Sequence, residues 1–215
     1  MSGQKKHELV VIGGGPGGYR AAFMAADLGM EVTLVDPEAN PGGVCLYRGC
    51  IPTKALLHLA GIRNEAARAG DLGMTFDEPK VEGGKILKWK NSVVKQLTGG
   101  LGQLVKAHKI NHIRGTATFR DNHTLQITPL EGDPYSLGFE QAIIATGAKP
   151  ATLPVTRTKS TAIMHSSGAL EMKDVPGHLL IIGGGYIGLE MATIYHMLGS
   201  KISLVELTKD LMPGL

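Results

Sequence analysis

The stretch Glu8-Leu-Val-Val-Ile-Gly-Gly-Gly-Pro-Gly-Gly-Tyr-Arg-Ala-Ala returns in altered form 170 residues later, as Leu179-Leu-Ile-Ile-Gly-Gly-Gly-Tyr-Ile-Gly-Leu-Glu. In the first copy an apolar run at 9–12 leads into Gly13-x-Gly15-x-x-Gly18. The pattern then predicts a helix over 21–28, a stop at Gly29 and a β-rich run over 31–35, closed by Asp36. In the second, 179–182 leads into Gly183-x-Gly185-x-x-Gly188, a helix is predicted through Met197 to Gly199, and 201–205 ends at Glu206. First glycine and closing acid are 23 positions apart in both copies. One Gly-x-Gly-x-x-Gly is weak evidence; two, each in strand–turn–helix–strand context and each closed by an acid, are strong.

Each residue type has a physical task. The first glycine permits the tight turn, the second lets backbone approach a pyrophosphate, and the third lets helix and strand pack closely. Unpaired N–H groups at the helix start attract a diphosphate. Asp36 and Glu206 stand where a carboxylate accepts from ribose hydroxyls, which favours a free 2′-OH at both sites. An NADP site calls for arginine near the second strand end, where Leu207-Thr-Lys-Asp offers only Lys209, so NAD is preferred.

Between the copies, helices are predicted over 55–69 and 85–108, with Gly99-Gly100 weakening the second locally. A strand at 110–114 precedes short strands at 116–120, 124–128 and 135–139. Gln141-Ala-Ile-Ile-Ala-Thr-Gly reads as a further strand ending in a glycine turn, and Pro150 and Pro154 read as a linker. The expected architecture is α/β: a Rossmann-like dinucleotide-binding domain with a βββ meander over 1–150, then the start of a second Rossmann-like dinucleotide-binding domain over 151–215.

Gly42-Gly-Val-Cys45-Leu-Tyr-Arg-Gly-Cys50-Ile-Pro-Thr-Lys54 carries the two cysteines of the chain. Five extended residues would span ~17 Å, whereas a disulfide needs Cα atoms within ~7 Å. The chain must therefore curl, which Gly49 permits. Pro52 suits a first helical turn, which puts Cys50 at or near a helix N-terminus, a place that favours a thiolate. Lys54 follows four residues later on the same face. A zinc half-site would need two further ligands at short spacing, and the eight histidines supply no such pair. A redox-active disulfide facing a flavin is a better reading than zinc or two inert thiols.

Composition narrows the remaining classes. With 43% hydrophobic and 19% charged residues the chain is not disordered. A net charge of +3, dispersed, gives no argument for nucleic acid. No apolar run approaches the ~20 residues of a membrane span. The N-terminus shows no signal core or transit pattern, so a cytoplasmic setting is the expectation.

These residues resemble the flavin-dependent pyridine nucleotide–disulfide oxidoreductases and, within them, the dihydrolipoamide dehydrogenases. The resemblance is carried by Gly13–Gly18 with Asp36, by Gly42-Gly-Val-Cys-Leu…Gly49-Cys-Ile-Pro-Thr-Lys, by Ala145-Thr-Gly, and by Gly183-Gly-Gly-Tyr-Ile-Gly-Leu-Glu190 with Glu206. Cys-Leu…Gly-Cys-Ile-Pro favours the lipoamide enzymes over glutathione and mercuric reductases. The resemblance implies FAD held by Gly13, Gly15, Gly18 and Asp36, with Gly43, Lys54, Ala117, Ala145, Thr146 and Gly147 also contacting it. It implies a Cys45–Cys50 disulfide, Cys50 against the flavin and Cys45 exchanging with lipoamide, with Lys54 and Glu190 paired near the flavin. Gly183, Gly185, Gly188 and Glu206 would bind NAD. Implied partners are a lipoyl-bearing acyltransferase or lipoyl carrier protein, as the E3 component of 2-oxoacid dehydrogenase complexes, and a second copy in a full-length homodimer.

The chain departs from the family pattern at Tyr47-Arg48, usually Asn-Val, at Thr53, usually Ser, and at Asp36, usually Glu. Family members are more than twice as long, and their catalytic His–Glu pair belongs to the part beyond. The 215-residue chain alone is therefore expected to lack turnover. The alternative readings are a related disulfide reductase or transhydrogenase, or a non-catalytic flavin-binding fragment.

Overall fold

The computed structural model describes residues 7–77, 79–156, 158 and 160–212. The stretch 1–6, which bears on a leader, and the end of the tail at 213–215 lie outside them. Two compact units are present, one of 1–47 with 95–149 and one of 48–94 with 150–215. The helical stretch 48–94 falls with 150–215 rather than with the rest of 1–149.

In the first unit, β1 (His7–Ile12), α1 (Pro16–Asp27) and β2 (Val32–Val35) form a parallel strand–helix–strand unit. Helix α1 starts earlier than the periodicity predicts because Pro16 takes its first turn, where a missing N–H costs nothing. Strands β3 (Asn111–Ile113), β4 (Gly115–Asp121), β5 (Thr124–Pro129) and β6 (Tyr135–Ile144) complete a sheet of order β3-β2-β1-β6-β5-β4. The two strands expected at 135–139 and from 141 are one strand. Its first half pairs antiparallel with β5, from Tyr135 to Gly138, and its second half parallel with β1, from Phe139 to Ile144.

Successive residues of β1 face opposite ways, and both faces are covered. Leu9 and Val11 pack with Ala22, Phe23, Leu34 and Val105. Val10 and Ile12 pack with Val35, Leu125, Ile127, Leu137 and Phe139 of the meander. Each such burial is worth ~1.5–3 kcal/mol, so β1 is the strand on which the unit depends most. Val105 comes from the long helix over Gly83–Ala107, which runs unbroken through Gly99-Gly100. Leu101 and Val105 anchor its far end on the sheet, and that packing offsets the glycines' low helix propensity.

Helix α2 (Gly43–Arg48) lies almost wholly in the first unit; the second unit takes α3 (Cys50–Arg68) and the first half of the long helix, here α4 (Gly83–Ala107). Then come α5 (Ser166–Ala169), β7 (His178–Ile182), α6 (Tyr186–Met197) and β8 (Lys201–Val205), with β7 and β8 parallel. Leu56 of α3, Met191, Ile194 and Tyr195 of α6, and Leu170 form the core, against which Leu179, Ile181 and Ile202 pack. Alternate residues Leu180, Ile182 and Val205 face away and are exposed. Among the described residues no helix is long and apolar enough to cross a membrane.

Candidate functional site

The first glycine turn leaves β1 at Gly13, whose φ is +102°. Its N–H donates to Val35 O at 2.8 Å, and Ala145 N donates to Ile12 O at 2.8 Å, so the turn lies between the ends of β2 and β6. A methyl on Gly18 would overlap the Gly13 carbonyl oxygen, which is the close approach that the third glycine was expected to permit. Gly15 precedes α1 as its N-cap, without a side-chain cap. The first N–H groups of the helix therefore remain open toward a ligand.

Asp36 follows β2 and is 7% exposed. Gly14 N donates to its Oδ2 at 2.6 Å and Glu38 N to its Oδ1 at 2.9 Å. Gly115 N donates to the Asp36 carbonyl at 3.2 Å, which starts β4 beside the acid and brings Ala117 two residues further along it. On the other side Gly42 N donates to Gly14 O at 2.7 Å. Gly43, with φ +56°, lies so close that a Cβ there would stand 2.5 Å from Gly15 Cα. Ala145 is half-buried, and Thr146 and Gly147 are exposed at the end of β6.

The second turn repeats this arrangement. Gly183 has φ +110° and donates to Val205 O at 2.8 Å. A methyl on Gly188 would overlap the Gly183 carbonyl oxygen, and Gly185 caps α6 without a side-chain cap. Gly184 N donates to Glu206 Oε2 at 2.6 Å, while Thr208 gives both its N–H and its hydroxyl to Oε1 at 2.9 Å. Met212 N donates to Gly184 O at 3.0 Å, as Gly42 does to Gly14. The Thr208 N–H, the Gly184 N–H and the Thr208 hydroxyl together pull the Glu206 carboxyl from 4.5 down to about 2.

The thiol stretch is more regular than expected. Where a curled loop was predicted, six residues form α2, which carries Cys45 half-buried. Cys50 is the exposed first residue of α3, after Gly49 as N-cap. Thr53 returns its N–H and hydroxyl to Gly49 O at 3.0 and 2.7 Å, fixing this first turn. Lys54 is exposed on α3 and Glu190 half-buried on α6. The two helices pack together, but the expected Lys54–Glu190 ion pair is not closed among the described residues.

Two participants were not foreseen. Gly14, read only as a spacer, supplies the N–H that fixes the acid; its being a glycine, in the middle of Gly13-Gly14-Gly15, was the available signal. His112 on β3 hydrogen-bonds the Asp36 backbone, while its Nε2 is buried with no partner. Burial holds the imidazole below its ordinary value, against the opposing pull of the Asp36 charge. No periodicity marks it, since its environment comes from strand pairing with Leu34.

Bare glycine backbone at two open helix starts, each beside a carboxylate with unused lone pairs, fits the diphosphate and ribose of a dinucleotide. At Gly185 an added Cβ would meet nothing within 4 Å, and at Gly15 nothing closer than Gly43 Cα at 3.9 Å. Among the described residues no group of three or more His, Cys, Asp or Glu could hold a metal.

Two such cradles and a thiol pair five residues apart define an α/β protein of the dinucleotide-binding class. The pyridine nucleotide-disulphide oxidoreductase family matches over residues 7–215, and the chain belongs to that family. Dihydrolipoyl dehydrogenase of Haemophilus influenzae is 46% identical over 214 residues, covering 100% of this chain and 45% of that protein. That of Staphylococcus aureus is 42% identical over 207 residues, covering 96% and 44%. Among solved structures, the HOCl-induced flavoprotein disulfide reductase RclA of Escherichia coli, in its Cu(II) complex, has a TM-score of 0.81 at 32% identity, covering 98% of this chain and 44% of that one. The chain thus spans just under half the length of these relatives.

Proposed function

We propose that the chain carries the cofactor-facing portion of a dihydrolipoyl dehydrogenase, which oxidises dihydrolipoamide through a Cys45–Cys50 disulfide with FAD and NAD. The observation that supports this best is the repeated cradle: a glycine N–H on a carboxylate at 2.6 Å occurs twice in one chain. The strap on the first cradle leads within three residues to Cys45. The relatives named dihydrolipoyl dehydrogenase, similar along nearly the whole chain, support the substrate.

In this reading FAD, when bound, supplies two-electron chemistry between a thiolate and the hydride acceptor NAD. Gly13, Gly15 and Gly18 keep side chains off the N–H groups that would meet the flavin nucleotide's diphosphate. Asp36 would accept its ribose hydroxyls, Ala117 would offer backbone to the adenine side, and Gly43 with Ala145, Thr146 and Gly147 would line the rest. Gly183, Gly185, Gly188 and Glu206 would do the same for NAD. A substrate thiolate would attack the Cys45 sulfur of the disulfide, breaking the S–S bond and releasing Cys50 as the thiolate toward the flavin. The second substrate thiol would then displace Cys45 from the mixed disulfide. Lys54, closing on Glu190, would hold positive charge beside the Cys50 thiolate. A lipoyl-bearing acyltransferase or lipoyl carrier protein would present the substrate, a second copy would complete the whole protein, and the compartment would be the cytoplasm.

The test uses the complete gene product with Cys45→Ser and Cys50→Ser. Both should lose dihydrolipoamide oxidation. Only Cys50→Ser should also lose the long-wavelength absorption of a thiolate beside bound flavin. Identical spectra would overturn the division of roles, and turnover in both variants would overturn the function.

A further inference from the structure

Tyr47 of α2 donates its hydroxyl to the Asn40 carbonyl at 2.9 Å. The bond closes residues 40–47 into a loop that contains Cys45. Two further contacts pin this loop. Gly42 N donates to Gly14 O at 2.7 Å, which ties it to the first cradle. The Asn40 side chain packs so closely on Gly102 of α4 that a methyl there would overlap its oxygen. The tyrosine ring lies against Gly42, where an added Cβ would stand 3.1 Å from the ring and 3.2 Å from the Thr98 methyl. Residues 14, 40–47, 98 and 102 all belong to the first unit.

Helix α2 needs such ties. Six residues are too few to hold a helix by themselves, so tertiary contacts set where it lies and how it is turned. Leu46, 7% exposed, anchors it by apolar packing, which has no direction of its own. The tyrosine hydrogen bond does have direction, and it restricts roll of the helix about its axis. Cys45 is two residues from Tyr47, so any such roll would carry its sulfur along. Tyr47 is also a position where the chain departs from the family pattern, so no family role comes with it.

We propose that Tyr47 is a positioning residue for thiol exchange: its bond to Asn40 sets the angle at which α2 presents the Cys45 sulfur to an incoming thiolate. This rests on the exchange role of Cys45 proposed above. In the exchange the substrate's two S–H groups become one S–S bond, and the Cys45–Cys50 disulfide becomes two thiols. Two electrons and two protons pass from substrate to protein, and no other reactant is needed. A thiolate attacks in line with the S–S bond, so a small misplacement of the sulfur costs rate. Reduction by NADH enters the disulfide at Cys50 and needs no external thiol at Cys45.

The oxidised complete gene product is compared with Tyr47→Phe, which keeps the ring and loses only the hydroxyl. Each is mixed with dihydrolipoamide, dithiothreitol or NADH and quenched by alkylation, and the thiols formed at Cys45 and Cys50 are counted by mass. Both dithiols should react about two- to tenfold more slowly in Tyr47→Phe, the scale of one hydrogen bond. The NADH rate and the half-saturating concentration of dihydrolipoamide should not change. Equal slowing with NADH would make the hydroxyl a support of the fold as a whole and overturn the proposal. Slowing with dihydrolipoamide alone would make Tyr47 a substrate contact, which also refutes it. Unchanged dithiol rates would sink the proposal and leave the exchange reading intact. If neither dithiol reduces the wild-type disulfide, the exchange reading fails and the proposal fails with it.

Discussion

Gly184 donates its backbone N–H to the Glu206 carboxylate at 2.6 Å, the same length as the bond from Gly14 to Asp36. In each unit the residue between the first two motif glycines thus holds the acid that closes the second strand. The acid is fixed before any nucleotide arrives, and each carboxylate retains lone pairs for a ribose.

Replacing Glu206 with Ala should remove both the turn anchor and the ribose acceptor. A charged hydrogen bond is worth ~1.5–3 kcal/mol, so kcat/KM for NAD in the complete protein should fall roughly 10- to 100-fold, with a smaller loss for NADP. Kinetics with both coenzymes decide this, and an unchanged preference would refute the reading.

The Glu206 carboxyl titrates near about 2, below its ordinary 4.5. Because the folded value is depressed, its contribution is present above the ordinary value and lost only as pH falls toward 2. A carbon-13 titration of labelled glutamate should find Glu206 still ionised at pH 3.5, when exposed glutamates are mostly protonated.

Gly18→Ala should disrupt the first unit, because its methyl would overlap the Gly13 carbonyl oxygen; overpacking of this kind costs at least ~1–3 kcal/mol. One residue earlier, Gly17 has nothing within 4 Å of an added Cβ. Gly17→Ala should therefore leave stability unchanged or raise it by up to ~1 kcal/mol. Urea melts of the two variants should separate clearly, and equal midpoints would show that the close packing is dispensable.

His112→Val should stabilise the first unit by about 1 kcal/mol, since it removes a buried nitrogen without a partner. The Asp36 carbonyl keeps the Gly115 N–H when the imidazole is lost. The wild-type imidazole's folded value is lowered, so the unfolded chain binds the extra proton and stability should fall as pH drops below ~6.5. Denaturant melts between pH 5 and 8 should show a shallower slope in His112→Val than in wild type.

The cradles were legible because their chemistry is local. Gly13 and Gly183 need positive φ, Gly18 and Gly188 need the absence of a Cβ, and the acids stand at one fixed spacing. Strand β6 was read as two because Leu137 and Phe139 alternate with neighbours in the meander, whereas Ala142–Ile144 form the continuous apolar run of a parallel strand. The change of partner at Phe139 looks in sequence like a change of element. Helix α2 was hidden behind Gly42-Gly43, which signal a loop; its six residues carry no cap signal of their own. His112 and the unclosed Lys54–Glu190 pair depend on distant packing, which spacing along the chain does not encode.

The straps Gly42 N to Gly14 O and Met212 N to Gly184 O each close a loop of the same 28-residue separation. Everything that shapes one cradle, apart from the strand laid beside it later, lies within about three dozen consecutive residues. The entropy of closing so short a loop is modest, and doubling its length would add only ~0.6 kcal/mol. Each nucleotide pocket is thus a region of low contact order, like the β4–β5 and β5–β6 hairpins, whereas the β1–β6 and β2–β3 pairings are remote. The expected sequence of events in refolding is that both pockets and the meander hairpins gain amide protection before the remote β1–β6 and β2–β3 pairings close.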